Sequence, residues 1–118
     1  MNWMETSMLQ RVERFLDLAS LRQSLISSNI ANVDTPGYRT RDIDFEKEMQ
    51  KAAAAPNAAP HPAVREISGL VERPDHNNVS IDRETMLLAQ TQLQFQTGVA
   101  LLKQEFKRLV TAITEGKS

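Results

Sequence analysis

The sequence predicts a mainly α fold: long N- and C-terminal helices packed as a coiled-coil pair, with an irregular, partly extended middle segment. Three observations carry this. Apolar residues recur at spacings of three and four toward each end of the chain. That period is lost between residues 34 and 80. At the border stands Asn29-Ile30-Ala31-Asn32-Val33-Asp34-Thr35-Pro36-Gly37-Tyr38, whose Pro-Gly pair stops a helix. The expected division is an N-terminal helix in residues 1–33, a turn motif with an Ala/Pro-rich linker and irregular segment in 34–80, and a C-terminal helix in 81–118.

The first helix is expected from about Ser7, capped by Thr6 or Ser7. Leu9, Val12, Leu16, Ala19, Ile26, Ile30 and Val33 form a heptad-like seam, with Gln23 in its polar slot. Met8, Phe15, Leu18 and Leu25 make a second row beside it. Two rows need more cover than one partner helix gives. Either the helix is buried in a small bundle, or one row packs within the subunit and the other against neighbours.

Pro36 and Gly37 suit the central positions of a type II turn, in which Gly supplies the positive φ. Asn29 and Asn32 sit three apart on the helix, within reach of the turn's free backbone groups. Asp42 to Lys51 is expected as a short helix with Phe45 and Met49 on one face. Residues 52–62 are Ala and Pro apart from Asn57 and His61, and read as a mobile or extended linker. Val64, Ile67, Leu70 and Val71 suggest a short strand or hairpin. Pro74-Asp75-His76-Asn77-Asn78 is turn-forming.

The last helix should begin after Ser80, its N-cap, with Asp82 and Glu84 favoured by the helix dipole. Leu88, Phe95, Val99, Leu102, Phe106, Leu109 and Ile113 form its seam, and Met86, Leu93 and Ala100 a shorter adjacent row. Lys107, Arg108 and Lys117 suit its C-terminal end. Gly98 reads as a weak point, costing about 1 kcal/mol relative to Ala. Two seamed helices at opposite ends of a chain want each other, in either direction.

Composition narrows the function. The 118 residues suit one small domain or one extended subunit of a polymer. Aromatics are 5%, so the core must be aliphatic. There is no cysteine, which excludes disulfides and thiolate metal sites. The formal charge is −1 and no basic block occurs, against a nucleic-acid groove or an anionic membrane surface. Apolar runs such as Val99-Ala100-Leu101-Leu102 are far short of the roughly 20 residues that span a bilayer. Met1 to Ser7 has no basic region before an apolar core, so no cleavable Sec-type leader is expected there.

No constellation for chemistry stands out, and no cofactor is expected. His61 and His76 are lone histidines in turn-rich segments. Asp42, Asp44, Glu46 and Glu48 alternate with Ile43, Phe45 and Lys47. They lack the glycine of a calcium loop and read as an exposed acidic face. The glycines are scattered singly and form no phosphate loop. Trp3 reads as a packing or docking residue near a fraying end.

The string Asn29-x-Ala31-Asn32-x-x-Thr35-Pro36-Gly37-Tyr38, at the end of an N-terminal helix, resembles the signature of the flagellar rod, hook and axial protein family. Arg39-Thr40-Arg41-Asp42-Ile43-Asp44-Phe45-Glu46, Asn77-Asn78-Val79-Ser80-Ile81-Asp82-Arg83-Glu84 and residues 101–113 resemble its proximal-rod members. The Ala/Pro linker has no counterpart in that pattern. The resemblance implies a structural subunit of the proximal rod, a hollow drive shaft that transmits torque and passes export substrates. It implies that the terminal helices form the inner tube and the middle segment lies outside. It implies export by the flagellar type III apparatus with an uncleaved signal. Implied partners are copies of the chain, other rod proteins, and export-gate and basal-body adaptor components at the rod base, with no nucleic acid and no direct membrane insertion. The assembly surface would be the two seams: Leu9, Val12, Leu16, Ile26 and Ile30, and Phe95, Val99, Leu102, Phe106, Leu109 and Ile113. The alternatives are a soluble helical adaptor or secretion chaperone, which would form a small closed oligomer, and an enzyme.

Overall fold

The computed structural model describes residues 3–116, with side chains from Ser7 onward. Helix α1 runs Trp3–Ala31, strand β1 Arg41–Asp42, helix α2 Phe45–Ala54, strand β2 Arg65–Glu66 and helix α3 Ile81–Glu115. The molecule measures 70 × 25 × 17 Å, its length set by α3. At about 1.5 Å per residue a helix of 35 residues reaches roughly 52 Å.

The two long helices are antiparallel. Arg22 of α1 and Arg83 of α3 meet at one carboxylate, while farther along Gly98 of α3 lies against Phe15 and Leu16 of α1. As α3 advances, α1 recedes. The core is thin and lies along α1: Val12, Leu18, Ala19 and Ile26 are buried, joined by Ile43, Val79 and Leu87.

Helix α1 begins at Trp3, a turn before the expected start, and Thr6 and Ser7 lie inside it. No Pro or Gly interrupts residues 1–7, so nothing local stops the helix there. The packing role read for the Trp3 side chain lies outside the described residues, as does Lys117. The second apolar row of α1 is covered within the subunit. Phe15 meets Phe45 of α2 edge-on, ring centroids 5.3 Å apart, and Leu18 is buried. Only Met8 of that row is exposed, against the expectation of a row reserved for neighbours.

Helix α2 starts three residues later than expected and takes three alanines of the linker. Asp44 caps it, its Oδ1 accepting the Lys47 N–H at 3.1 Å. Ser80 caps α3 as expected, accepting the Arg83 N–H. The last turn of α3 holds no basic residue, since the helix outruns Lys107 and Arg108. The strand expected in 64–73 is reduced to two residues, and its partner is distant: Arg41 pairs with Glu66 and Asp42 with Arg65, antiparallel.

The expected acidic face does not exist. Asp42 is buried between two arginines, Glu48 is buried beside Lys51, and Asp44 caps α2, leaving Glu46 exposed. A two-residue alternation cannot form one face here, because Asp44 marks the change from extended chain to helix.

Candidate functional site

The string Asn29–Tyr38 at the end of α1 folds into a turn braced from three directions. Thr35 to Tyr38 close a type II turn, with Tyr38 N–H donating to Thr35 O at 3.2 Å and Gly37 at φ 77°. Asn32 Nδ2 returns to Ser28 O at 2.8 Å, and its Oδ1 accepts the Thr35 hydroxyl at 3.0 Å. Asn29 serves the chain beyond the turn. Its Oδ1 accepts from Arg41 N and Tyr38 Oη, and its Nδ2 donates to Arg41 O. One buried amide thereby reads both backbone groups of Arg41 and fixes where β1 leaves α1. Ala31 and Pro36 are exposed and make none of these contacts.

The third brace comes from a loop some 40 residues away. Arg73 to His76 form a turn, closed by His76 N–H to Arg73 O at 2.8 Å, and His76 takes φ 69° beyond it. This presents Asn77 and Asn78, both fully buried. Asn77 Nδ2 donates to Asn32 O (2.9 Å) and Thr35 O (2.8 Å), and its Oδ1 accepts Val79 N–H (2.8 Å). Asn78 Oδ1 accepts Thr40 N–H at 2.6 Å, and its Nδ2 reaches Ile67 O. Arg73 donates to Val33 O and Val79 O, and Gly37 N–H donates to Asp75 O. The carbonyls of the turn that follows α1, those of Asn32, Val33 and Thr35, are thus held by side chains from the entry to α3. Sequence reading placed Asn77 and Asn78 in a turn and missed this role. Two adjacent amides just before a helix cap were the available signal.

Beside this network Asp42 joins both helices. Arg22 approaches its carboxylate with Nε and Nη2, each at 3.1 Å, and Arg83 Nη2 lies 2.8 Å from Oδ2. Arg83 Nη1 also holds Glu84 Oε1 at 2.8 Å.

The seam of α3 is where the sequence reading departs most from the structure. The buried residues of α3 are Glu84, Leu87, Thr91, Gly98 and Glu105. Of the expected seam, Leu88, Val99, Leu102 and Leu109 are half-buried, while Phe95, Phe106 and Ile113 are 39%, 64% and 56% exposed. On an α-helix, with 100° per residue, the expected stripe lies about 60° from the ridge that meets α1. Counting apolar residues hid that ridge, because most of its members are polar or have no side chain. Gly98 is its closest point. A Cβ there would lie 2.6 Å from Leu16 Cδ2 and 3.0 Å from Phe15 Cδ1, so this glycine permits the approach of the helices instead of merely weakening α3. On α1 the expected seam does face inward: Val12 and Ile26 are buried, and Leu9, Leu16 and Ile30 half-buried. Around the ridge Glu84 Oε2, Thr91 Oγ1 and Gln94 Oε1 are buried with no hydrogen-bond partner among the described residues.

Among the described residues no group of three or more His, Cys, Asp or Glu is placed to hold a metal ion. Among the described residues no helix is long and apolar enough to cross a membrane. His61 is exposed, and His76 Nδ1 sits 3.2 Å from Glu72 Oε1 at the surface.

A long antiparallel helical pair, locked at one end and apolar on its outer flank, is the build of a packing subunit of an axial assembly. The model of the family described as flagella basal body rod protein matches residues 16–39, the second half of α1 and the braced turn. Similar proteins include the flagellar basal body rod protein FlgB of Salmonella typhimurium, 31% identical over 122 residues, covering 86% of this chain and 88% of the relative. That of Bacillus subtilis is 30% identical, covering 92% and 95%. That of Cereibacter sphaeroides is 38% identical over 112 residues, covering 83% and 87%. The chain belongs to the flagellar basal body rod protein family, and within it to the FlgB group.

Proposed function

We propose that this chain is a structural subunit of the proximal rod of the bacterial flagellar basal body, and that its work is assembly, not catalysis. The observation that carries the reading is the inversion along α3. Polar Glu84, Thr91 and Glu105 are buried inside the subunit, while aromatic Phe95 and Phe106 lie on its exposed flank. A monomer gains nothing by leaving such a stripe in water, and a polymer covers it. Membership of the FlgB group supplies the kind of polymer.

In this reading residues 1–33 and 81–118 line the rod core and residues 34–80 face outward. The seam residues of α1 close the subunit. Phe95, Val99, Leu102, Phe106, Leu109 and Ile113 meet copies of the chain and other rod proteins. Contacts with export-gate and adaptor components at the rod base, and export through the flagellar type III apparatus, belong to the same proposal. The braced turn is the part that holds the helical pair in a fixed geometry. Electron microscopy of isolated basal bodies tests this. Density for the helical pair and its braced turn is expected at the base of the rod. A rod complete without this chain would overturn the reading and leave the adaptor.

A further inference from the structure

Residues 55–64 cross the flank of α1 and α2 as a turn, closed by Ala58 N–H to Ala55 O at 3.1 Å, followed by a stretch in 59–64 that is neither helix nor strand. Pro56, Pro60 and Pro62 keep it out of a helix and remove three backbone donors. Its ends are fixed, by Ala55 N–H to Lys51 O at 3.1 Å and by the pairing of Arg65 with Asp42. Between those ends one hydrogen bond, among the described residues, ties it to another element: Ala63 N–H donates to Glu48 Oε1 at 3.0 Å. The same oxygen receives Lys51 Nζ at 2.8 Å. Glu48 is 6% exposed, unusual for a glutamate on a surface helix. Under the segment lies a cavity of about 220 Å³ between Arg14 and Leu18 of α1, Ala52 of α2, and Ala59, Pro60 and Pro62.

We propose that residues 55–64 are a removable strap, fastened by the Glu48 carboxylate, which opens when that carboxylate is protonated and uncovers the α1–α2 flank at Leu18. An ionised carboxylate accepts only, and its bond to a backbone N–H is charge-assisted. The protonated acid loses that assistance and its attraction to Lys51 together. A proline-rich segment with no ladder of its own has nothing to replace them.

The surroundings set the direction. Burial pushes the Glu48 carboxyl up, but the Ala63 N–H, Lys51 and Lys47 outweigh it and hold it below the usual glutamate value. Arg14 on α1 and His61 in the strap are the other ionisable groups lining the cavity, and neither is acidic. With a depressed value in the folded state, the fastening is complete above the ordinary glutamate range and is lost as pH falls through the lower, folded value.

Amide hydrogen exchange on the full chain, read residue by residue, tests the strap. At neutral pH the Ala63 amide should be protected about 10- to 100-fold, as a single charge-assisted bond allows. Glu48→Ala should abolish that protection and leave Ile67, bonded to Thr40 O, unchanged. Glu46→Ala, on the exposed face of the same helix, should change neither. Glu48→Gln, the neutral isostere of the protonated acid, should lose most of the Ala63 protection at neutral pH and show no pH dependence between 3 and 6. Protection of Ala63 that survives Glu48→Ala would overturn the proposal. So would loss of the Ala63 protection at a pH above the ordinary glutamate range, where the Glu48 carboxyl is ionised. Loss of Ile67 along with Ala63 in both Glu48 variants would overturn it too, because Glu48 would then hold the whole middle segment.

Discussion

Asp42 and Arg83 lie 41 residues apart in sequence and 2.8 Å apart in space. Arg22 meets the same carboxylate from the other long helix. One aspartate in the middle segment is therefore the point at which α1, α3 and β1 are fixed to one another. Its side chain is 4% exposed, against 14% and 21% for the arginines. Asp42→Ala should strand the largely buried Arg22 guanidinium, leave Arg83 with Glu84 alone and lower stability by about 3 kcal/mol, the lower end for breaking a buried pair. Urea unfolding followed by circular dichroism measures this. A loss below about 1 kcal/mol would mean that the node holds nothing the rest of the fold does not.

Asn77 should matter more than any residue within the turn it braces. Asn77→Ala leaves the buried Val79 N–H without its partner and takes one of two donors from the carbonyls of Asn32 and Thr35, which keep Thr35 N–H and Tyr38 N–H. At about 1–3 kcal/mol for a buried group left unsatisfied and about 0.5–1.5 kcal/mol for each further hydrogen bond lost, about 3 kcal/mol is at stake. Gly37→Val has open space around its Cβ, so only the left-handed backbone at φ 77° opposes it, at about 1–2 kcal/mol. Thermal unfolding of the two variants should rank Asn77→Ala below Gly37→Val, with Gly37→Asn milder than either. The reverse order would place the strength of the motif in the turn itself.

Gly98 gives a test of the helical contact. Gly98→Leu cannot be housed against Leu16 and should cost about 1–3 kcal/mol or more through overpacking. Gly98→Ala gains about 1 kcal/mol in helix propensity and loses a comparable amount in contact. Combined with Leu16→Ala, which removes the clashing atoms, it should show a favourable coupling. A double-mutant cycle by denaturant unfolding reads it. Strict additivity would separate the two residues.

The helical ends were legible in the sequence because amphipathic period and N-cap chemistry are local. Ser80, the Pro36-Gly37 turn and the inward row of α1 follow from spacing alone. The middle was less legible because its order is bought by distant partners. Nothing near Asp42 in the sequence names Arg22 or Arg83, and nothing near Asn77 names Thr35. The α3 face was misjudged for a different reason. Hydrophobic period does not tell a face that packs within the subunit from one left on its surface, and Phe95 and Phe106 lie on the surface, where the proposed assembly would cover them. The contact to α1 runs instead through Gly98 and through polar residues that a periodicity count passes over.

That division also predicts uneven dynamics. Arg83 ties the first turn of α3 to Asp42, with Ser80 capping that turn and Glu84 holding the Arg83 guanidinium. Beyond Gly98 the buried residue is Glu105, paired with Arg108 of its own helix at 2.9 Å. In the free protein, amide exchange should be fast in residues 99–115 and slow in residues 84–95. Uniform strong protection along α3 would mean that the chain closes its own core, and would favour the adaptor.

Phe106→Glu tests the central claim most directly. The side chain is 64% exposed in the subunit, so the substitution should leave circular dichroism and unfolding of the free protein within about 0.5 kcal/mol of the parent. In an assembly that covers this flank it buries a carboxylate among aliphatics, which costs several kcal/mol. Gln104→Glu adds the same charge off the stripe. Cells carrying Phe106→Glu should make the protein but yield no hook-basal bodies in electron micrographs and no swimming halo, while Gln104→Glu cells swim. Equal counts of hook-basal bodies for the two variants would contradict the account, because the exposed stripe of α3 would then not be an assembly surface.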